Sequence, residues 1–379
     1  MQHLLSLIQH FALPFILVIT VVVFVHEFGH YWVARRCGIR IVTFSLNFGK
    51  ALFGWTDKNG TKWQVGWLPL GGYVKMFGDA DPSSASPDET VKTMTEEEKK
   101  VSFFHQSVNK RVAVVAAGPA ANYIFAIIVM AVLFMFQGQP YSPPLVGALQ
   151  ENGVAARAGL LPGDKVISID GETVSRFEDI KRIITLSTGS PVPFVIERNG
   201  AQQTFTIAPE MTEQTDHFGG KHKLGKIGIV SDRIDYIKRT PVVAVEQPAI
   251  ETWNLSADTL KAIGQMVMGT RGSEEIGGPL RIAEMSGHIA QDGPWALVWF
   301  MAIISVNLGL VNLFPVPLLD GGHLLFYICE KLRGKPLHER VQEFGMRIGM
   351  ALVVSLMLFA TWNDLVHLEI ISKLRALFS

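Results

Sequence analysis

Two histidines and a glutamate with the spacing His-Glu-x-x-His lie within the first long apolar stretch of the sequence, at Val25–His30. On a helix, His26 and His30 lie one turn apart on the same face, so their imidazole nitrogens can bind one Zn²⁺. Glu27 lies beside them and can remove a proton from a zinc-bound water. Because ionisable side chains are costly in an apolar environment, we interpret the motif as a catalytic metal site.

A catalytic zinc site of this kind needs a third protein ligand. The end of the third apolar stretch offers Asp320, which follows Pro315 and Pro317 and precedes two glycines. The prolines end a helix and turn the chain, and the glycines permit close folding of the backbone. His323 and Cys37 are competing ligands. An oxygen ligand leaves zinc more electrophilic, which favours Asp320 for hydrolysis.

Four apolar stretches are long enough to cross a membrane as helices. They are residues 11–34, 112–136, 295–317 and 344–365. Only 18% of the residues are charged, below the roughly 25% of ordinary soluble domains, which also indicates a membrane protein. The first stretch has no basic start and no small-residue cleavage site, so we interpret it as a membrane helix rather than a signal peptide.

The distribution of basic residues predicts how the chain is oriented. Residues 34–111 carry twelve Lys and Arg, whereas residues 1–12 carry none. The positive-inside rule therefore places the 34–111 loop in the cytoplasm and the N-terminus outside. Residues 137–294 then lie outside. The first and third stretches both end at the cytoplasmic face, so His26 and Asp320 are expected at the same depth.

The overall composition excludes other classes of protein. The 34 Lys and Arg balance the 34 Asp and Glu, which argues against a nucleic-acid partner. Two cysteines, Cys37 and Cys329, are too few for a disulfide framework. On the predicted topology both face the reducing side of the membrane, and we expect free thiols.

Residues 137–212 alternate short β-like runs with glycine turns, and Phe177–Leu186 is predicted to be a helix. The segment Gly153–Val174, in which AGL-x-x-GD precedes a strand and an Asp-Gly turn, resembles a bacterial PDZ domain. PDZ domains bind an extended peptide as an added strand. The resemblance therefore implies the C-terminus of a peptide as a ligand, and a steric spacer is the alternative.

The predicted organisation has four parts. They are a first part of the membrane core at 1–136 with a cytoplasmic β-rich loop at about 35–111, the PDZ domain at 137–212, an extracytoplasmic amphipathic region at 213–294, and a second part of the core at 295–379. Within the third part, Pro241–Gly269 and Gly278–Ile289 are expected to be amphipathic helices at the outer membrane surface or against the core.

The cytoplasmic loop contains Trp63–Val65 and Tyr73–Met76, which we expect to be strands around Gly71 and Gly72. A substrate helix must unwind before its peptide bond can be cleaved. An open strand edge beside the site would supply the unwound backbone with new hydrogen bonds. We therefore expect Gly71 and Gly72 to contribute to substrate binding, and a purely structural hairpin is the alternative.

The His-Glu-x-x-His motif together with Asn-x-x-Pro-x-Pro-x-Leu-Asp-Gly at Asn312–Gly321 resembles the site-2 protease family, close to the bacterial regulator of sigma-E proteases. Further matching segments are Leu68–Met76, Gly118-Pro119, Asn122 and Gly277–Pro279. Better-known members of this group carry two tandem PDZ domains, whereas this chain has room for one. Size filtering by a PDZ pair therefore does not carry over unchanged.

The resemblance implies a core of four transmembrane helices that binds one Zn²⁺ per chain. His26, His30 and Asp320 would be its ligands, and Glu27 the catalytic base and proton shuttle. Asn312, together with Pro315 and Pro317 on the same loop, would contact the substrate or its oxyanion.

The sequence thus predicts an intramembrane zinc metalloendopeptidase of the bacterial inner membrane that cleaves single-pass membrane proteins. The resemblance implies an anti-sigma factor that another protease has first trimmed on its outer side, with remnant signal peptides as a second substrate class. A metal transporter and a non-catalytic PDZ membrane scaffold are the alternatives. A transporter should carry polar residues at mid-membrane depth in several segments, and a scaffold would tolerate the loss of Glu27.

Overall fold

The computed structural model describes residues 8–79, 89–185, 189–215, 221–231, 235–237, 241–269 and 277–367. The chain forms two compact units. Unit 1 comprises residues 1–131, 245–260 and 274–379, and unit 2 comprises residues 132–244 and 261–273.

Helices dominate unit 1, and short strands dominate unit 2. The helices are α1 (Leu13–Arg36), α2 (Glu96–Val101), α3 (Val108–Phe136), α4 (Val154–Arg157), α5 (Phe177–Thr185), α6 (Pro241–Val267), α7 (Pro279–Gln291), α8 (Pro294–Asn312), α9 (Asp320–Arg333) and α10 (Glu339–His367). The strands are β1 (Ile41–Thr56), β2 (Lys62–Met76), β3 (Gln139–Tyr141), β4 (Ala148–Leu149), β5 (Lys165–Ile169), β6 (Glu172–Thr173), β7 (Val192–Arg198), β8 (Ala201–Ile207), β9 (Glu210–Thr215), β10 (Lys221–Lys226), β11 (Ile229–Val230) and β12 (Asp235–Ile237).

Four helices among the described residues are long and apolar enough to span a membrane, which confirms the four predicted stretches. These spans are His10–Arg36, Val108–Phe136, Pro294–Asn312 and Arg340–Val366. The third prediction ran too far, because α8 ends at Asn312 and not at residue 317. Pro315 lacks the N–H that would continue the helix, and its ring disfavours a helical conformation of the preceding residue.

Small residues bring α1 and α3 together in unit 1. A Cβ atom on Gly29 of α1 would overlap the carbonyl oxygen of Ala117 and lie 2.7 Å from the Cβ of Ala121. Such contacts allow helix backbones to approach closely in an apolar environment. Helix α8 packs on both helices, with Val18 and Val22 of α1 in one cluster and residues of α3 in another.

Strands β1 and β2 fold back on themselves to make a sheet of four segments. Residues 41–46 of β1 pair with residues 72–76 of β2 on one side. On the other side, residues 43–46 pair with 62–65, and residues 51–56 pair with 62–66. The two predicted strands therefore belong to one bent strand, β2. Gly71 and Gly72 lie within it, and the chain reverses between β1 and β2 near Asp57–Thr61 instead.

A buried carboxylate of α10 holds the start of α7. Asp364 is 1% exposed and accepts backbone N–H groups from Gly278 at 2.8 Å, Leu280 at 3.0 Å and Arg281 at 3.1 Å. The first N–H groups of a helix have no partners within the helix, so this acid caps α7. Helices α6 and α7 coincide with the two predicted amphipathic helices, and α7 is fastened at its first turn.

Unit 2 contains a four-stranded sheet in the order β6-β5-β7-β8. Its core includes Val166, Phe194 and Ile196 from the sheet and Ile180 from α5, all at most 1% exposed. Strands β5, β7 and β8 lie within residues 137–212, for which the alternating pattern predicted short strands, and helix α5 begins at Phe177 as predicted. Residue 186, the predicted end of the helix, lies outside the described residues.

Unit 2 extends beyond residue 212, where the sequence predicts the end of the PDZ domain. Strand β11 pairs with β4, and β12 pairs with β3. These pairs return residues 229–230 and 235–237 to the start of the unit. Strands of two or three residues are too short to show alternation, which is why the sequence favoured a linker there.

An ion pair joins the Gly-Asp turn of unit 2 to β7. The carboxylate of Asp164 is 2% exposed and accepts bonds from Arg198 Nε at 2.7 Å, a terminal Arg198 nitrogen at 2.6 Å and the Leu161 N–H at 2.8 Å. Burial alone would raise the pKa of Asp164. The hydrogen bonds and the charge of Arg198 outweigh burial, so the pKa lies below its ordinary value.

Replacement of this acid should loosen unit 2 in a pH-dependent way. Since the folded-state pKa of Asp164 is lowered, its contribution is full above the ordinary aspartate pKa and is lost as pH falls through the folded value. Asp164→Asn should cost roughly 1–3 kcal/mol of local stability at neutral pH. Hydrogen–deuterium exchange of β5 and β7 amides in the full chain measures this loss.

The variant should also show a smaller decrease of protection on acidification than the native chain. Asp170→Asn is the matched control, because Asp170 is exposed and has a positive φ that asparagine tolerates equally. Equal protection in the two variants would contradict the prediction.

Candidate active site

Three potential metal ligands from α1 and α9 converge in unit 1. His26 Nε2 lies 3.2 Å from His30 Nε2 and 3.1 Å from Asp320 Oδ2, and His30 Nε2 lies 3.5 Å from Asp320 Oδ2. Donor atoms bound tetrahedrally to zinc at about 2.0–2.2 Å are about 3.3–3.5 Å apart. Two imidazoles and a carboxylate with this spacing therefore fit one zinc ion and leave a fourth position open.

A tight turn between α8 and α9 delivers Asp320 to the histidines. Asp320 is the first residue of α9, where the helix dipole favours a negative charge. A Cβ on Gly321 would overlap the carbonyl oxygens of Leu313 and Phe314, so glycine is required for the close packing of the turn. Leu318, two residues before the acid, has a φ of 101° that bulky residues rarely adopt.

Helix α3 contacts the second nitrogen of each histidine. His30 Nδ1 lies 2.9 Å from the backbone oxygen of Val114, and His26 Nδ1 lies 3.2 Å from the side-chain amide of Asn122. An N–H donated from Nδ1 to the Val114 carbonyl leaves the lone pair of His30 Nε2 free for a metal. Between these contacts, a Cβ on Gly118 would overlap His30 Nε2 and lie 2.9 Å from His26 Cε1.

The role of α3 was missed in the sequence. From the sequence we assign the small residues of α3 no role in the site, whereas in the structure Gly118 leaves space for both imidazoles. The available signal was Asn122, a polar side chain in the middle of an apolar stretch. Such residues are expensive in a membrane and commonly face a functional site.

The three ligands line a cavity of about 500 Å³ in unit 1. The predicted site residues in its wall are His26, Glu27, His30, Gly71, Gly72, Asn312 and Asp320. Pro315 and Pro317 do not line the cavity. Pro315 is exposed, and Pro317 packs so closely on α10 that a Cβ on Gly349 would overlap its carbonyl oxygen. The prolines therefore shape the loop around Asp320.

One wall of the cavity is the outer strand of the β1–β2 sheet. Gly71, Gly72, Tyr73, Val74 and Met76 line it. A Cβ on Gly72 would lie 3.1 Å from Glu27 Cγ, so the strand backbone passes directly beside the glutamate. Gly71 has a φ of 141°, a conformation that favours glycine. Among the described residues, no further strand pairs with the outer side of 72–76.

The two competing ligands occupy different positions. His323 lines the cavity one turn after Asp320 but does not belong to the three-residue cluster, whose ligand atoms all lie within 4.8 Å of one another. Cys37 follows the last residue of α1 and is not part of the cavity wall. Among the described residues, Asp320 is thus the carboxylate that completes the cluster with His26 and His30.

Comparisons with known proteins also indicate a metalloprotease. The model of a family described as peptidase family M50 matches residues 14–356. The chain is 45% identical over 359 residues to an Agrobacterium fabrum protein that carries the provisional name zinc metalloprotease Atu1380, covering 94% of this chain and 95% of the relative. It is 34% identical over 385 residues to Metalloprotease MmpA of Caulobacter vibrioides, covering 96% of this chain and 97% of the relative.

A comparison with solved structures matches a smaller part of the chain. The crystal structure of the PDZ domain of an SdrC-like protein from Listeria monocytogenes is 20% identical, with a TM-score of 0.19. The match covers 24% of this chain and 90% of the solved one.

A methyl group at Gly118 should disturb the ligand cluster. In an ordinary helix, Gly→Ala stabilises by about 1 kcal/mol. In α3 the added Cβ would displace both imidazoles, so Gly118→Ala should weaken zinc binding by about 10-fold or more. Zinc titration of the purified, metal-stripped chain against a competing chelator measures the affinity. Gly264→Ala is the control, because only the end of Met268 approaches its Cβ, at 3.9 Å. Native zinc affinity in Gly118→Ala would contradict the prediction.

Proposed function

The chain belongs to peptidase family M50, and we propose that it is an intramembrane zinc endopeptidase that cleaves single-pass membrane proteins within or near their membrane segment. That it is a multi-pass membrane metalloprotease follows from the family match and its four apolar helices. The finer proposal is carried by one observation: His26, His30 and Asp320 lie in the wall of a cavity that is also lined by the outer strand of the β1–β2 sheet.

His26, His30 and Asp320 are assigned as the ligands of one zinc per chain. Bound zinc supplies Lewis-acid chemistry, which acidifies water and polarises a carbonyl oxygen. Glu27 is assigned as the general base, because it lies in the same cavity beside both histidines. It takes the proton of the attacking water and passes it to the nitrogen of the leaving amine as the peptide bond breaks.

The strand edge supplies what an unwound substrate needs. A transmembrane helix satisfies its own backbone, so exposure of one peptide bond leaves polar groups unpaired in an apolar environment. The strand edge at residues 72–74 can pair with that backbone as an added strand, and Gly72 places this edge beside Glu27. The Met76 N–H, further along the strand, is already donated to Asp79. Asn312 lies in the cavity wall and is assigned to donate its amide N–H to the oxyanion.

The proposed substrates are membrane regulators such as an anti-sigma factor that an upstream extracytoplasmic protease has already trimmed. Remnant signal peptides are a second class of suitable size. Unit 2, with its resemblance to a PDZ domain, would receive the newly formed C-terminus of such a substrate or exclude bulky proteins. Both roles require unit 2 to lie on the outer side of the bacterial inner membrane.

The proposed orientation rests on the positive-inside rule. It places the 34–111 loop and the ends of α1 and α8 at the cytoplasmic face, where water can enter the cavity. The released fragment then leaves on the cytoplasmic side.

Replacement of the base should separate metal binding from catalysis. Glu27→Gln keeps the shape of the side chain but cannot accept a proton, so cleavage of a model single-pass substrate should fall by about 10²–10⁴-fold. Zinc content should remain that of the native chain. The control is Glu343→Gln on the exposed part of α10. Cleavage at the native rate by Glu27→Gln would exclude the mechanism, and zinc transport into vesicles by both variants would favour a transporter.

The orientation can be tested separately with thiol labelling. In a chain in which Cys37 and Cys329 are replaced by serine, Glu151→Cys should react with a membrane-impermeant reagent on intact spheroplasts. Lys58→Cys should react only after the membrane is opened. Both positions are exposed, so access to the thiol depends on sidedness alone. The reverse labelling pattern would overturn the orientation and leave the assigned chemistry untouched.

A further inference from the structure

We propose that Asn122 of α3 is a positioning residue that holds His26 in the tautomer whose Nε2 binds the metal. The inference rests on the metal site of the proposed function and assigns a role to a residue outside the three ligands and Glu27. Its basis is the hydrogen-bonding geometry around His26.

The two nitrogens of His26 face different partners. Nε2 faces the other two ligands, 3.2 Å from His30 Nε2 and 3.1 Å from Asp320 Oδ2. Nδ1 lies 3.2 Å from the side-chain amide nitrogen of Asn122. A neutral imidazole has one N–H and one lone pair. If Nε2 gives its lone pair to a metal, Nδ1 carries the hydrogen and needs an acceptor.

Asn122 can supply that acceptor. Its side chain is fully buried, and its Oδ1 contacts no hydrogen-bond donor among the described residues. A rotation of the carboxamide by 180° exchanges the nitrogen and the oxygen without moving other atoms. This rotation brings Oδ1 to Nδ1 of His26, so the buried oxygen accepts the Nδ1 hydrogen. If the amide N–H of Asn122 faced Nδ1 instead, Nδ1 would use its lone pair as acceptor. The imidazole hydrogen would then lie on Nε2, which could not bind a metal.

The surrounding helices hold Asn122 in place. Ser305 Oγ of α8 donates a hydrogen bond to the Asn122 backbone oxygen at 3.0 Å. One turn further along α8, a Cβ on Gly309 would lie 3.2 Å from the carbonyl oxygen of Pro119. The packing of α8 on α3 thus fixes the backbone that carries the Asn122 side chain.

The two histidines are oriented by different means from the same face of α3. Val114, Gly118 and Asn122 are spaced four residues apart and so lie on one face of the helix. His30 is oriented by the Val114 backbone, which a substitution of that side chain does not remove. His26 is oriented by a side chain. Asn122 is therefore the position at which the tautomer of a ligand can be tested.

The test compares Asn122→Leu with Asn122→Asp in the full-length chain, purified in detergent and stripped of metal. Leucine has a similar volume but no acceptor, so its zinc affinity should fall about 10–100-fold. A carboxylate accepts the Nδ1 hydrogen at least as well as an amide, so the aspartate variant should stay within a few-fold of the native chain. Affinity is measured with Zn²⁺ against a competing chromophoric chelator.

The control is Asn307→Leu. Asn307 is another asparagine of a membrane-length helix, and its Oδ1 accepts a hydrogen bond from Thr259 Oγ1 at 3.2 Å. It is not among the residues that line the cavity, so its loss should leave zinc affinity unchanged. A Co²⁺ absorption spectrum gives a second readout, because the visible bands report the ligand geometry. Asn122→Leu should alter these bands, whereas Asn122→Asp should preserve them.

The outcomes separate this inference from the proposed function. If the native chain binds no zinc, the proposed function fails. If the native chain and Asn122→Leu bind zinc equally with the same Co²⁺ spectrum, only the role of Asn122 fails. If Asn122→Leu does not fold, Asn122→Asp decides alone: native affinity supports the acceptor role, and a loss as great as that expected for leucine overturns it, because the amide N–H would then be the essential group.

Discussion

Helices α1 and α3 lie so close together at Gly29 that a methyl group there would overlap the Ala117 carbonyl. The rest of the metal site depends on this approach. Only at such a separation can His30 reach the backbone of α3 and His26 reach the carboxamide of Asn122. In lipid, packing and hydrogen bonds rather than water exclusion hold helices together, so small residues and polar contacts carry the interface.

The third ligand depends on a different constraint, the turn between α8 and α9. Leu318 adopts a backbone conformation that is rare for a bulky residue, and such conformations persist only where the surrounding structure imposes them. Helix α9 is also anchored near its C-terminal end, at a point remote from the turn. Arg111 of α3 donates to Glu330 at 2.6 Å, and its guanidinium lies 4.7 Å from the centre of the Tyr327 ring. The position of Asp320 is therefore set by the turn before it and by the anchored helix that follows it.

Much of this arrangement could be predicted from the sequence, because local spacing determines it. The spacing of His26 and His30 places them on one helical face, and the length of apolar stretches predicts the four membrane helices. The choice of Asp320 followed from topology, since two helices that run in the same direction end at the same depth. The assignment of these residues as zinc ligands remains a proposal.

Contacts between distant segments could not be predicted in the same way. Nothing in the local sequence shows that Gly118 faces two imidazoles or that Asp364 caps a helix that begins at Pro279. The register of β1 and β2 could not be predicted either, because one strand bends and pairs with two segments. In each case the residue that determines the structure lies far away in the sequence. A single sequence does not show which distant residues come into contact.

The position of the outer strand at 72–76 has a further consequence for how the protein behaves in a crowded membrane. An unpaired strand edge ordinarily invites another copy to add to it, which leads to aggregation. Here that edge lies in the cavity among residues of α1, α8 and α9, and Asp79 accepts the N–H of Met76 at its end. A folded neighbour would have to enter the space between these helices to reach the edge, whereas a single extended chain needs much less room. The surrounding helices therefore oppose self-association at this edge while residues 72–74 can still pair with an extended chain.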